Sequence, residues 1–166
     1  MTMNEQSERK ENKMNFIETI KERARQKIKT IVLPEAEDIR TLKATEIALK
    51  EKYANIILVG NEKEIKEKAE ANNVNIEGAK IIDPQTSSDY EKYVNLLYEL
   101  RKHKGMTIEQ AKEITLNPVY FGMLMVKDEE TKADGLVSGA VHSTARKTIK
   151  LKDYEHKTET FYLTRG

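Results

Sequence analysis

Four short segments rich in Ile, Leu and Val, separated by longer stretches of helical periodicity, set the strongest limit on how this chain folds. The first three apolar segments end in a proline, a glycine or an acidic residue. Runs of this kind are typical of strands buried on both faces of a parallel sheet. The pattern therefore predicts an α/β fold with a parallel sheet flanked by helices and joined by right-handed crossovers. The predicted strands lie in residues 30–34, 56–59, 80–84 and 136–137.

Apolar residues recur at helical spacing between these strands. Ser88 with Glu91, and Thr107 with Gln110, have the spacing of capping boxes and mark two helix starts. The charged residues 1–13 carry no apolar stripe, and we expect them to form a disordered leader. The predicted helices cover residues 15–27, 36–52, 62–72 and 88–102, a short segment after Thr107, and residues 117–126.

Composition excludes several classes of function. The 166 residues include 29 basic and 28 acidic side chains, for a net charge of +1, so no global field attracts nucleic acid or an acidic membrane. There are no cysteines and only three histidines, which excludes disulfides and thiolate zinc sites and disfavours any metal centre. No apolar run is long enough to span a bilayer, and the N-terminus lacks the apolar core of a secretory signal. We expect a cytoplasmic protein without a metal.

Residues 133–144 are the richest candidate for function. They form a short strand that runs into a loop of glycines and small polar side chains. Gly135 and Gly139 allow the backbone to approach a ligand closely, and such loops at the carboxyl ends of strands bind small anions in open α/β sheets. The alternative is a tight strand-to-helix turn with no ligand. The candidate binding side chains are Ser138, His142, Ser143 and Thr144.

Two charged clusters have both a structural and a functional interpretation. Three acids, among them Glu35 and Asp38, lie where a strand gives way to a helix, and acids suit a helix N-terminus. Arg40, one turn into that helix, suits a phosphate. Arg101 opens the basic cluster of residues 101–104, which either caps a helix C-terminus or anchors a phosphate through a bidentate guanidinium. Neither cluster is decided by the sequence.

Five segments together resemble the phosphate acetyltransferases (phosphotransacetylases) and the related phosphate butyryltransferases. The resemblance covers about residues 14–145, and its most specific parts are the basic cluster that ends in Gly105 and the loop that contains His142. The segments lie in the family's order: residues 31–40, 57–61, 98–105, 120–124 and 134–145.

This resemblance implies acetyl transfer between acetyl phosphate and coenzyme A, both as substrates, with no bound cofactor. It also implies two α/β domains of the isocitrate dehydrogenase-like fold, of which this chain provides the first, and a homodimer for the intact enzyme. Arg101 matches the family arginine that binds substrate phosphate. The substrate-binding residues expected from the resemblance are Arg101, Ser138, Gly139, His142, Ser143 and Thr144.

The resemblance weakens after residue 145. The family's second phosphate-binding arginine falls at Ile149, and Arg146 is out of register. We therefore expect an N-terminal α/β domain over residues 14–145 and a divergent, poorly ordered tail over residues 146–166. The expected catalytic base belongs to a second domain, so no catalytic residue is assigned here. The function expected is that of a truncated, poorly active phosphate acetyltransferase, and the alternative is a non-catalytic binding or regulatory remnant of that family.

Overall fold

A computed structural model describes residues 3–141, with side chains described at Arg9 and from Asn15 onward. Strands and helices alternate as the sequence predicts, with two one-turn 3₁₀ segments at Lys102–Lys104 and Glu129–Thr131. The strands are β1 (Lys29–Leu33), β2 (Ala54–Val59), β3 (Lys80–Ile82) and β4 (Gly135–Leu136). The helices are α1 (Met3–Gln26), α2 (Ile39–Lys50), α3 (Glu62–Ala71), α4 (Tyr90–Arg101), α5 (Ile108–Thr115) and α6 (Pro118–Lys127).

All strand pairs in the described sheet are parallel, and the strand order is β3-β2-β1-β4. The chain moves outward from β1 through β2 to β3 and then returns, so that β4 pairs with the opposite side of β1. The direction of winding therefore reverses between β1 and β4. Ligands of open α/β sheets bind at such a reversal, outside the carboxyl ends of the strands.

Alternate residues of β1 and β2 face two separate cores. Val32 and Ile57 pack on one face with α4, α5 and α6, where the rings of Tyr93 and Phe121 meet edge to face at 4.9 Å. Ile56 and Leu58 pack on the other face with α2 and α3. Period-two alternation with apolar residues on both faces explains why the strands read as continuous apolar runs. The predicted fold class is confirmed.

The two-residue strand β4 is fixed at its start by Asp134. The carboxylate of Asp134 accepts bonds from the backbone N–H of Thr30 and from Nζ of Lys29, both at 2.8 Å. The backbone N–H of Asp134 donates to the carbonyl of Thr30 at 2.8 Å. These bonds hold the pKa of Asp134 below its ordinary value, and the bond from Lys29 has a larger effect than the bond from Thr30. The chain therefore enters β4 in a single register beside β1.

Helix α6 lies directly on the sheet at Gly122. A Cβ at this position would stand 2.9 Å from Cδ1 of Leu136 and 3.0 Å from Cγ1 of Val32. The absence of a side chain thus lets α6 approach β1 and β4 closely, and Phe121 and Leu124 on either side are fully buried. The segment identified as core from its sequence, residues 120–126, is core in the structure.

Two local predictions differ from the structure. Residues 3–13, expected to be a disordered leader, belong to α1, because good helix formers such as Glu, Lys, Gln and Arg fill a segment that has no apolar stripe to reveal it. The capping box predicted at Ser88 is absent, since Asp89 is the N-cap of α4 and makes no side-chain cap bond. The capping box at Thr107 and Gln110 is confirmed.

We expect Gly122→Val to lower the free energy of unfolding by about 1–3 kcal/mol, because its added methyl groups overpack the contact between α6 and the sheet. Lys112→Val, on the exposed side of α5, is the control for the helix propensity of valine and is expected to cost about 0.5 kcal/mol. Urea unfolding followed by circular dichroism measures both. Equal losses in the two variants would show that α6 does not pack against β1 and β4 at Gly122.

Candidate functional site

The reversal of the sheet winding creates a crevice at the carboxyl ends of β1 and β4. It holds a cavity of about 290 Å³ with a largely apolar wall and a few polar groups. Such a composition is common in small-molecule sites. The lining residues come from the end of β1, the first turns of α2 and the loop after β4, and include Leu33, Glu35, Arg40, Ala44, Val137 and Ser138.

The carboxylate of Glu35 connects the two sides of this crevice. Its Oε2 accepts bonds from the backbone N–H of Gly139 at 2.6 Å and of Ala140 at 2.7 Å, and its Oε1 accepts from Val141 at 3.2 Å. Only 2% of Glu35 is exposed. Consecutive backbone N–H groups that converge on one point form an anion site. Here the anion is the protein's own carboxylate.

Gly139 gives the loop the shape that this arrangement requires. Its φ of +155° belongs to a region that favours glycine. Two residues earlier, the backbone N–H of Val137 still donates to the carbonyl of Val32 at 3.0 Å, which extends the pairing of β4 with β1. The loop leaves the sheet after Val137 and turns at Gly139, which directs its next N–H groups toward Glu35.

Arg40 holds the same loop by donating to one of its backbone carbonyls. Nη2 of Arg40 donates to the carbonyl of Ala140 at 2.8 Å and also bonds the carboxylate of Asp38. Asp38 is the N-cap of α2 and accepts the backbone N–H of Arg40 at 2.8 Å. The Arg40 side-chain bond, followed by its backbone bond, keeps the pKa of Asp38 below its ordinary value. Of the acids that the sequence placed at this helix start, Asp38 caps the helix and Glu35 reaches across to the loop.

Ser138 sits at the start of the loop with a buried hydroxyl. The residue is 7% exposed, and within the described part of the chain its Oγ has no hydrogen-bond partner. A buried hydroxyl without a partner is costly to stability. The arrangement therefore provides an unused polar group beside the cavity, close to the point where the loop and β1 meet.

Arg101 lies elsewhere. It is the last residue of α4, is partly buried, and its carbonyl accepts the N–H of Met106 at 3.4 Å. Gly105, with φ of +83°, ends the one-turn helix that follows. The neighbouring Lys102 pairs with Glu99. Arg101 does not line the cavity that contains Ser138, so the structure does not bring these two predicted residues together there.

The predicted site is thus only partly assembled within residues 3–141. Ser138 and Gly139 share the crevice with Arg40, and His142, Ser143 and Thr144 lie outside the described residues, as does the expected tail. A larger cavity of about 690 Å³ lies between α3 and the ends of β1 and β2, and none of the predicted residues lines it. Among the side chains that the structure describes, no group of three His, Asp or Glu is placed to hold a metal ion. The described helices include none that combines the length and apolar character needed to cross a bilayer.

Glu35 is the residue at this site that sequence reasoning missed. It was counted with the acids that favour a helix N-terminus, although it precedes the N-cap by three residues. The available signal was its place next to Pro34, directly after a buried strand, where parallel sheets place functional side chains. Its partner loop lies about a hundred residues away in sequence, and only the pairing of β4 with β1 makes them neighbours.

Comparison with known protein families gives one clear match. A family model described as phosphate acetyl/butaryl transferase matches residues 15–161. This match extends beyond residue 145, where the resemblance was expected to weaken.

Individual relatives agree with that match. The phosphate acetyltransferase of Acetivibrio thermocellus is 52% identical over 132 residues, which cover 80% of this chain and 39% of that protein. The phosphate acetyltransferase of Bacillus subtilis is 40% identical over 159 residues, which cover 92% of this chain and 48% of that protein. The chain therefore spans less than half the length of these relatives.

Solved structures show the same architecture. A phosphotransacetylase from Streptococcus pyogenes superposes with a TM-score of 0.74 and 30% identity, covering 82% of this chain and 40% of that one. The EutD phosphotransacetylase from Staphylococcus aureus gives a TM-score of 0.69 and 38% identity, covering 79% of this chain and 39% of that one. The described fold is that of the corresponding part of these proteins.

We expect Arg40→Gln to raise the pKa of Asp38 toward its ordinary value near 3.8. In the unfolded chain Asp38 takes up a proton near that pH, whereas the folded protein does so only at lower pH. The stabilisation of the folded protein by the Asp38–Arg40 ion pair is therefore complete above that pH. It is lost as the pH falls through the lower pKa that Asp38 has in the folded protein. Carboxyl ¹³C NMR titration measures the pKa, and urea unfolding at pH 6 and pH 3 measures the stability.

The control is Arg23→Gln, which removes an exposed arginine from α1. The difference in stability between wild type and Arg40→Gln should be larger at pH 6 than at pH 3. Arg40→Gln also loses the bond to the carbonyl of Ala140, but this loss costs the same at both pH values. It therefore does not contribute to the change with pH. An Asp38 titration identical in wild type and Arg40→Gln would contradict the ion pair.

Proposed function

The chain belongs to the phosphate acetyl/butaryl transferase family, and from this premise we propose that it takes part in acetyl transfer between acetyl phosphate and coenzyme A. The observation that carries the proposal is the loop after β4. It lies at the reversal of the sheet winding, at the carboxyl ends of β1 and β4, where α/β sheets bind their ligands. The Ser138 hydroxyl, which has no partner among the described residues, and the glycine turn suit a small, polar, charged substrate.

The proposed reaction needs groups of three kinds. The thiolate of coenzyme A attacks the carbonyl carbon of acetyl phosphate, a C–S bond forms, the C–O bond to phosphate breaks, and inorganic phosphate leaves. A base removes the thiol proton, and donors stabilise the oxyanion and the phosphate. By the family resemblance, this base lies in a second domain, and the aligned region covers 39% of the Acetivibrio relative.

This chain supplies binding groups in the proposal. Arg101 grips the substrate phosphate, as its match to the family arginine suggests, and its planar guanidinium fits two phosphate oxygens. Ser138 and Gly139 contribute through the loop, which continues into His142, Ser143 and Thr144. Coenzyme A and acetyl phosphate enter as substrates with no resident cofactor, and we include in the proposal a homodimer located in the cytoplasm.

The first test is a titration of the 166-residue chain with inorganic phosphate, followed by amide NMR. We expect a dissociation constant of about 1 mM, which corresponds to a binding free energy of about −4 kcal/mol, since one guanidinium and a few donors act in an open site. Shifts should appear at Ser138 and Gly139. Although Arg101 lies outside the cavity that Ser138 lines, the proposal gives both a role in phosphate binding, so these shifts should weaken in Arg101→Ala. Arg23→Ala removes an exposed arginine far along α1 and should leave the titration unchanged.

Ser138→Ala separates binding from folding. The Ser138 hydroxyl is buried and has no partner among residues 3–141. Removing it should raise the free energy of unfolding of the ligand-free chain by about 1 kcal/mol, while phosphate affinity falls. Identical titrations in wild type and Arg101→Ala would make Arg101 a helix-end cation only. Acetyl-coenzyme A formation from acetyl phosphate distinguishes the function classes. We expect slow, thiol-dependent turnover, whereas phosphate binding with no turnover at any concentration would favour the non-catalytic alternative.

A further inference from the structure

We propose that Glu35 is a positioning residue, which holds residues 138–141 in their binding conformation by filling the row of backbone N–H groups that the loop presents. The role in substrate binding rests on the proposed function, whereas the role in loop order does not. The carboxylate is therefore a built-in part of the site rather than a surface charge at a helix start.

Three adjacent amides that bond one carboxylate are the first argument. The two shortest bonds, from Gly139 and Ala140, are 2.6 and 2.7 Å long, in the range of charge-assisted hydrogen bonds. With 2% of the residue exposed, water competes little for these bonds. The loop therefore has its shape before a ligand arrives, which lowers the entropic cost of binding.

The second argument is that the segment between β1 and the start of α2 binds both the N–H and the carbonyl of one loop residue. Glu35 accepts a hydrogen bond from the backbone N–H of Ala140, and Arg40 donates one to the carbonyl of the same residue at 2.8 Å. Asp38 in turn orients Arg40. The segment between β1 and α2 thus acts as a template for the loop after β4.

A different role for Glu35 is disfavoured by burial. If Glu35 only held the place of a substrate phosphate, it would have to leave the N–H row when phosphate binds. Its neighbours Pro34 and Ala36 are both buried, Ala36 at 1% exposure, so the backbone does not help the side chain to leave. To vacate the row, Glu35 would have to give up all three of its hydrogen bonds to the loop. The proposal therefore places a ligand anion beside the row, near Ser138, which lines the cavity, and not in the row itself.

The test compares the 166-residue wild type with Glu35→Gln and Glu35→Asp, in hydrogen exchange and in titration with inorganic phosphate. Glu35→Gln keeps the size but loses the charge, and we expect amide exchange at Gly139 and Ala140 to rise about tenfold or more, as the loss of charged hydrogen bonds implies. Glu35→Asp keeps the charge but is shorter, and should give an intermediate rate. The control Glu113→Gln removes an exposed carboxylate from α5 and should match wild type.

Amide protection at Ile57, in the centre of β2, shows in every variant whether the sheet is intact. If Glu35→Gln fails to fold, exchange at Gly139 and Ala140 that is faster in folded Glu35→Asp than in wild type still supports the loop claim, and exchange equal to wild type contradicts it. In folded Glu35→Gln, phosphate affinity should fall about fivefold to tenfold as the loop loses its order.

Unchanged exchange at Gly139 and Ala140 in both Glu35 variants would overturn the proposal. Tighter phosphate binding in Glu35→Gln than in wild type would also overturn it, because it would show that phosphate and Glu35 compete for the N–H row. A third outcome separates the two proposals. If the Glu35 variants exchange faster but the wild type itself binds no phosphate, the role of Glu35 in loop order is supported and the proposed function is contradicted.

Discussion

A single buried carboxylate joins the two halves of the candidate site. Glu35 follows β1, and the N–H groups that it binds follow β4, so its bonds tie together the two strands between which the sheet reverses its winding. Removing one partner of such an interaction leaves the other buried without compensation, which makes these bonds expensive to lose. The shape of the crevice and the turn at Gly139 both depend on this contact.

The rest of the fold supports that contact from several directions. Strand β4 has only two residues. The carboxylate of Asp134 holds the chain just before it, and Glu35 holds the loop that follows it. The missing side chain of Gly122 lets α6 lie against β1 and β4. Short strands are weak by themselves, so side-chain carboxylates at each end supply what backbone pairing alone does not.

The fold could be predicted from the sequence because its signals are local. Continuous apolar runs predicted β1 and β2, and the spacing of Thr107 and Gln110 predicted the start of α5, because strand burial and helix capping depend on neighbouring residues. The site could be predicted only in part. Ser138 and Gly139 were identified from their own loop, but the role of Glu35 depends on a strand about a hundred residues away. Arg101 was linked to the loop by resemblance alone, and the substrate-binding roles of Arg101, Ser138 and Gly139 stay predictions.

The most direct test of the account is a measurement on the unmodified protein. Scalar couplings across hydrogen bonds, recorded by NMR on the ¹⁵N,¹³C-labelled chain, connect an amide nitrogen to the carbon of the carboxylate that accepts its proton. The account predicts couplings from Gly139 and Ala140 to the side-chain carboxyl carbon of Glu35, in the absence of any ligand. Rapid exchange of these two amides with solvent, with no coupling to Glu35, would contradict the claim that this carboxylate builds the site.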